Sequence, residues 1–269
     1  MPPMRFLALL LLAALAGCAA PPPLVAVAPP LAYPPSVRDR IFAVLDAEWR
    51  EWGGQTLAEG EAPATPGAES LAQNFPRVLA YWRAVPDDEG TIARNRALYP
   101  LALAGEAAGA RLWQETPWSA AFISYVMLRA GVDTREFRPS AAHAFYIDQL
   151  LRDATDFPAE APFIPHGPAE YVPRPGDLVC ADRSRAPLNH WTQRAADEGR
   201  FRPMHCDIVV AVAPGAVEAT GGNVADAVTR RRFPADTAGL LLPAPAGGSQ
   251  WFAVFENRLG RLGPWAPRS

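Results

Sequence analysis

Apolar positions between residues 36 and 52 recur at helical spacing. Ile41, Val44, Leu45, Trp49 and Trp52 fall on one stripe, Ser36 stands at the N-cap position, and Gly53–Gly54 end the run. The pattern predicts an amphipathic helix. Residues 55–70 are rich in Gly, Pro, Ala and Glu and read as a mobile loop. FPRVLAYWRAV at 75–85 predicts a short amphipathic helix, and Asp87–Asp88 are placed to cap another that runs to about Tyr99. Residues 102–112 are Ala-rich and fit a helix or a loop. Pro117 suits a helix start, where its missing N–H costs nothing. Trp118, Phe122, Ile123, Val126, Met127 and Ala130 then form one apolar stripe, closed by Gly131. Ser140 is read as the cap of a following helix that carries His143, Ile147, Leu150 and Leu151.

The period changes after residue 173. PRPGDLVC at 173–180 reads as a turn into a strand, 182–203 as a polar insertion, and 205–212 as a buried strand. A Pro-Gly turn follows, then strands over 216–220, 224–231 and 251–255. Helices first and strands later predict an α+β layer fold with an antiparallel sheet packed against N-terminal helices.

The first 35 residues carry a different signal. Arg5 precedes an apolar run at 6–16 that ends in L-A-G-C at 15–18. Such a run has the length of a secretion signal and is short of the roughly 18–20 residues a spanning helix needs. The ending resembles the bacterial lipobox, which implies lipidation of Cys18, a membrane contact through that lipid alone, and a mature chain starting there. Ala19, in place of Asp, implies sorting to the outer membrane, facing the periplasm. Residues 19–35 are Pro-rich and read as an extended tether with a reach on the order of 50 Å. The organisation expected is therefore a signal at 1–18, a tether at 19–35, a helical portion at 36–94 and an α+β domain at 95–269.

Composition narrows the functions. Hydrophobic residues make up 49% of the 269 and the net charge is −3, so a core is available and no basic excess points to nucleic acid. His143, His166, His190 and His205 lack metal-ligand spacing, and no phosphate-binding Gly loop is present, so neither metal nor cofactor is expected. Export makes Cys180 and Cys206 a candidate disulfide pair; two buried thiols are the other reading.

Candidate chemistry centres on Ser119 in the first turn of the 118–130 helix, where backbone N–H groups favour negative charge. Read locally, Ser119 is a capping residue. The ordered set PWSAAFIS, PRPGDLV, HCDIVV and GGNV over about residues 95–232 resembles the NlpC/CHAP branch of the papain-like superfamily. In that branch a Cys follows the Trp, and members cleave amide bonds of peptidoglycan. The set looks closest to bacterial proteins, often lipoproteins, whose function is not established. The resemblance implies a papain-like fold with Ser119 at the nucleophile position, His205 as base and Asn223 as orienter. Trp118, His143 and Asp207 are candidate substrate-binding residues. Asp207 shares a strand face with His205 by alternation, whereas Cys206 faces the core. A serine hydroxyl, unlike a thiol, is not pre-ionised by a helix end. Three readings therefore stay open: a serine hydrolase of the cell wall, a non-catalytic peptidoglycan binder, and an envelope lipoprotein acting through an unknown protein partner.

Overall fold

The structure, a computed structural model, describes residues 37–58, 60–105, 111–243, 248 and 250–260. The signal, Cys18, the tether and Ser36 lie outside them. The fold is α+β. Helices α1 (Val37–Glu51), α2 (Phe75–Trp82), α3 (Thr91–Leu103), α4 (Ser119–Arg129) and α5 (His143–Asp156) precede most of a seven-stranded sheet. Its strands are β1 (Thr56–Ala58), β2 (Phe163–His166), β3 (Leu178–Asp182), β4 (Met204–Ala213), β5 (Ala216–Val224), β6 (Ala227–Pro234) and β7 (Gln250–Asn257). Their order is β1-β6-β5-β4-β3-β7-β2, and only the edge pair β1–β6 is parallel.

The helical stripes meet in a single core. Val37, Ile41 and Leu45 of α1, Val78 of α2 and Phe122, Ile123 and Val126 of α4 share it with Leu178, Ile208 and Phe255 of the sheet. Trp118 lies wholly buried between Trp52 and Tyr81, with ring centroids 5.4 and 5.3 Å away. Truncating a residue so placed costs about 3–5 kcal/mol. Glu48 ties the three helices together: it accepts hydrogen bonds from Tyr81 of α2 at 2.5 Å and Tyr125 of α4 at 3.0 Å. Asp87 caps α3, accepting from the Thr91 and Ile92 N–H groups at 2.7 and 2.9 Å.

Several expectations are corrected. The 55–70 segment is no loop throughout: Thr56–Ala58 pairs with Arg230–Arg232, an edge contact that no local pattern announces. Ser140 does not cap α5. Its hydroxyl bonds within its own turn, to Ala142, which is the N-cap residue. Gly221, Gly222 and Asn223, left between the strands expected at 216–220 and 224–231, belong to β5, and the reversal falls at Ala225–Asp226, both at positive φ. Strand β2 had no signal strong enough to be read.

Cys180 and Cys206 stand directly opposite each other in the β3–β4 ladder and form a disulfide, with Cα atoms 4.2 Å apart. The bond lies on the helix-covered face. His205 and Asp207, on either side of Cys206, take the other face of β4, opposite Ala181 and Val179.

Candidate functional site

Three elements bring the polar residues together. Helix α4 begins at Ser119, with Trp118 as N-cap residue. The first N–H groups of a helix have no intrahelical partner, and here the first intrahelical bond runs from Phe122 N to Trp118 O at 2.9 Å. Trp118 is fixed from two sides. Its indole donates to Glu69 Oε2 at 2.7 Å. With its amide in the orientation that satisfies both neighbours, Asn223 donates to the same carboxylate at 3.2 Å and accepts the Trp118 N–H at 3.1 Å. Burial pushes the Glu69 carboxyl up to about 7; the Trp118 indole opposes this, and the Asp226 carboxylate adds to it.

Ser119 Oγ lies 2.7 Å from His143 Nε2. His143 opens α5, and its Nδ1 lies 2.5 Å from the Tyr146 hydroxyl one turn on. Two tautomers satisfy both bonds. With the proton on Nδ1, Tyr146 accepts it and Nε2 is left to accept the serine O–H. With the proton on Nε2, the roles reverse. Burial pushes Tyr146 well above the usual phenol range, with help from the Asp207 charge, so its hydroxyl keeps its proton.

The second imidazole is close by. The rings of His143 and His205 have centroids 5.4 Å apart. His205 Nε2 is 2.8 Å from Asp207 Oδ1, and Arg231 of β6 pairs with the other carboxylate oxygen. Burial alone would raise the Asp207 carboxyl, but Arg231 and His205 overrule it and hold Asp207 well below the usual carboxylate range. With Nε2–H donating to Asp207, the lone pair of His205 sits on Nδ1, which is buried without a partner among the described residues. Burial pushes His205 down to about 4 against the attraction of Asp207, and the Arg183 charge adds to the fall. Burial, then the charges of His205 and Arg183, pushes His143 well below its ordinary value. Both rings are therefore neutral at neutral pH. Ser119, His143 and His205 are only 7%, 4% and 1% exposed.

Two glycines make this packing feasible. A Cβ on Gly222 would lie 2.4 Å from the Phe122 Cβ, so β5 lets α4 approach only because position 222 has no side chain. A Cβ on Gly221 would lie 1.7 Å from Asp207 Oδ1, so the carboxylate occupies the space above that glycine.

The roles expected from the sequence are redistributed. The imidazole bonded to Ser119 is His143, because α5 rather than β4 runs its first residue against the start of α4. His205 belongs to the cluster but is bonded to Asp207. Asn223 does not orient His205; it holds the start of α4. Trp118 is buried against Trp52 and Tyr81 and offers no surface to a substrate. Asp207 likewise turns its carboxylate to His205 and Arg231. Glu69 and Tyr146 were not singled out, and nothing in the sequence marked Arg231 for a contact with Asp207. Tyr146 had a signal, since residues three apart on a helix share a face. Glu69 and Arg231 had none: the first sits in a segment read as a loop, and the second needs the β5–β6 register.

Among the described residues no cluster of three His, Cys, Asp or Glu side chains has metal-binding geometry. A family model described as an uncharacterised protein conserved in bacteria (DUF2272) matches residues 69–256. That span begins at Glu69 and includes every residue of the site. No curated protein and no solved structure matches the chain.

Proposed function

The chain belongs to this family of bacterial proteins, and we propose that it is a cell-envelope hydrolase that uses Ser119 to cleave amide bonds of peptidoglycan peptides. The observation that carries this reading is the 2.7 Å contact between Ser119 Oγ and a neutral His143 at the opening of a helix. Ser119 attacks the amide carbonyl carbon and its proton passes to His143 Nε2. The free N–H groups of the first turn of α4 face the oxygen that becomes negative. Collapse breaks the C–N bond, and His143 returns the proton to the leaving amine. Water then attacks the seryl ester by the same route, releasing a carboxylic acid and restoring the hydroxyl. Tyr146 positions the His143 ring. The Asp207 charge favours the imidazolium that forms transiently, which deep burial would otherwise penalise.

An envelope location is part of the proposal. The Cys180–Cys206 disulfide supports it, since such bonds persist in oxidising compartments. The lipobox-like ending at Cys18 and the apolar run before it point the same way. Among the described residues no helix is long and apolar enough to cross a membrane; the proposed membrane contact is the lipid on Cys18.

A second reading, a peptidoglycan binder without turnover, is favoured by one observation: the near-complete burial of Ser119 and both imidazoles. Digestion of purified peptidoglycan, followed by mass spectrometry of the released peptides, separates the two. The hydrolase releases peptides, and Ser119→Ala lowers the rate by on order of 10³-fold or more. Equal release by wild type and Ser119→Ala removes Ser119 from the chemistry. Affinity for muropeptides with no release by either protein establishes the binder.

A further inference from the structure

Arg183, the residue after the last of β3, is a cation that the Ser119–His143 chemistry does not use. The β3–β4 register sets Ala181 opposite His205. The Arg183 N–H donates to Pro203 O at 2.8 Å, which carries the same register one step beyond the strand. Residues two apart on a strand share a face, so Arg183 leaves the ladder on the face of Ala181, His205 and Asp207. It is the diagonal neighbour of His205, a spacing of about 7–8 Å that a long side chain bridges. The charges agree with this placement. The Arg183 guanidinium helps to push both His143 and His205 down. Its own pKa is lowered first by burial and then by the Arg231 charge, with the Asp207 charge opposing them. Such charge effects act at short range. The guanidinium therefore lies against the site, while the residue as a whole stays exposed. Its side chain has no hydrogen-bond or ion-pair partner among the described residues, whereas Arg194, Arg202 and Arg231 each hold a carboxylate.

We infer that Arg183 pairs with a free carboxylate of the substrate, carried close to the amide that Ser119 attacks. The balance of charge selects that ligand. Arg231 and Asp207 neutralise each other, and His143, His205 and Tyr146 are uncharged at neutral pH. Glu69 is spent on Trp118 and Asn223 behind the start of α4. The positive charge of Arg183 is left over, on a residue open to solvent. A guanidinium matches a planar carboxylate through two parallel N–H···O bonds. The pairing has a second consequence. Arg183 opposes the imidazolium that His143 becomes, and a carboxylate bound to Arg183 removes that opposition. An acidic peptide is thus favoured over its neutral counterpart in rate as well as in binding. Arg183 sets specificity and does not touch the reacting atoms. The inference rests on the hydrolase reading for the bond that is cut, while recognition of the carboxylate serves a binder equally.

The test uses the full chain carrying Ser119→Ala, which stops any turnover. It is titrated by calorimetry with a purified disaccharide-tetrapeptide of peptidoglycan whose carboxyl groups are free, and with the same compound after those groups are converted to amides. The free form is expected to bind at least about tenfold tighter, the effect of a hydrogen-bonded charge pair. Adding Arg183→Gln removes that preference by weakening the free form alone, Arg183→Lys restores part of it, and both variants melt as their parent does. Equal affinity for the two forms, no saturable binding of either, or a preference that survives Arg183→Gln overturns the inference. Peptide release by the wild-type chain is scored separately. Carboxylate-dependent binding without release defeats the hydrolase reading alone, and release without the carboxylate preference defeats this inference alone.

Discussion

Single residues carry the chemistry, and their titration behaviour gives the sharpest expectations. His143 acts as a base only while neutral, and burial holds its pKa well below the ordinary histidine value. Hydrolysis is therefore expected to stay level as pH falls through 6.5 and to decline only in more acidic solution. A rate profile with an inflection at 6.5 would contradict the burial of that ring. His143→Gln removes the base and should lower turnover by about 10²–10⁴-fold with little change in substrate affinity. Glu69 gives a stability expectation. Its carboxyl titrates near 7 in the fold and near 4.5 when unfolded. Between those values the unfolded chain holds fewer protons, so stability falls as pH rises through the window. Glu69→Gln keeps an acceptor for the Trp118 indole and has no charge to bury. Denaturant melts at pH 5 and pH 7 should show wild type losing more stability than the variant. Equal losses would mean that Glu69 does not titrate there. Little of this was legible beforehand. His143 could be placed near a helix start, but its partner depends on how α5 meets α4. The His205–Asp207 contact was legible, because alternation along β4 puts both on one face.

Elements set the geometry in which those residues meet. Helix α4 reaches the sheet at Gly222, where any Cβ would collide with Phe122. Gly222→Ala should cost about 1–3 kcal/mol by overpacking and shift the opening of α4, so its melting temperature and its hydrolysis should fall together. Unchanged melting would show that the close approach is not required. The Cys180–Cys206 bond joins β3 and β4 beside His205, with a sequence separation of 26. Chain-entropy reasoning gives such a cross-link about 3.5 kcal/mol of stability. Replacing both cysteines with alanine, read by denaturant melting, should show a loss of that order. Helices α1, α2 and α4 and the long strands were readable because their signals are local: a stripe at 3.6 residues, or an apolar run ended by a Pro-Gly turn. Strand β1, three residues long, pairs with a partner far along the chain and has no such signal. Residues 221–223 were left out of the expected strands for a related reason. Their glycines answer to Phe122 and Asp207 across the fold, not to a local reversal.

At the scale of the whole molecule, the N-terminal helices and the sheet share one core, so residues 37–94 are integral to the site rather than an appendage. Glu69 makes this concrete: it comes from the N-terminal portion and holds the residue before Ser119. The proposed anchor belongs to this scale as well. If Cys18 is lipidated, Cys18→Ser should move the chain from the membrane to the soluble fraction of fractionated cells. An unchanged distribution would remove the anchor. The α+β layering followed from the order of elements, since helices crowd the first half and strands the second.

The account rests on Ser119 being a hydroxyl that His143 can activate. The most direct measurement is intact-mass and peptide mapping of the full chain after exposure to a serine-directed fluorophosphonate. The account predicts one phosphonyl group on Ser119, formed at least 100-fold more slowly in His143→Gln. No adduct on Ser119, or an adduct whose rate ignores His143, would contradict it.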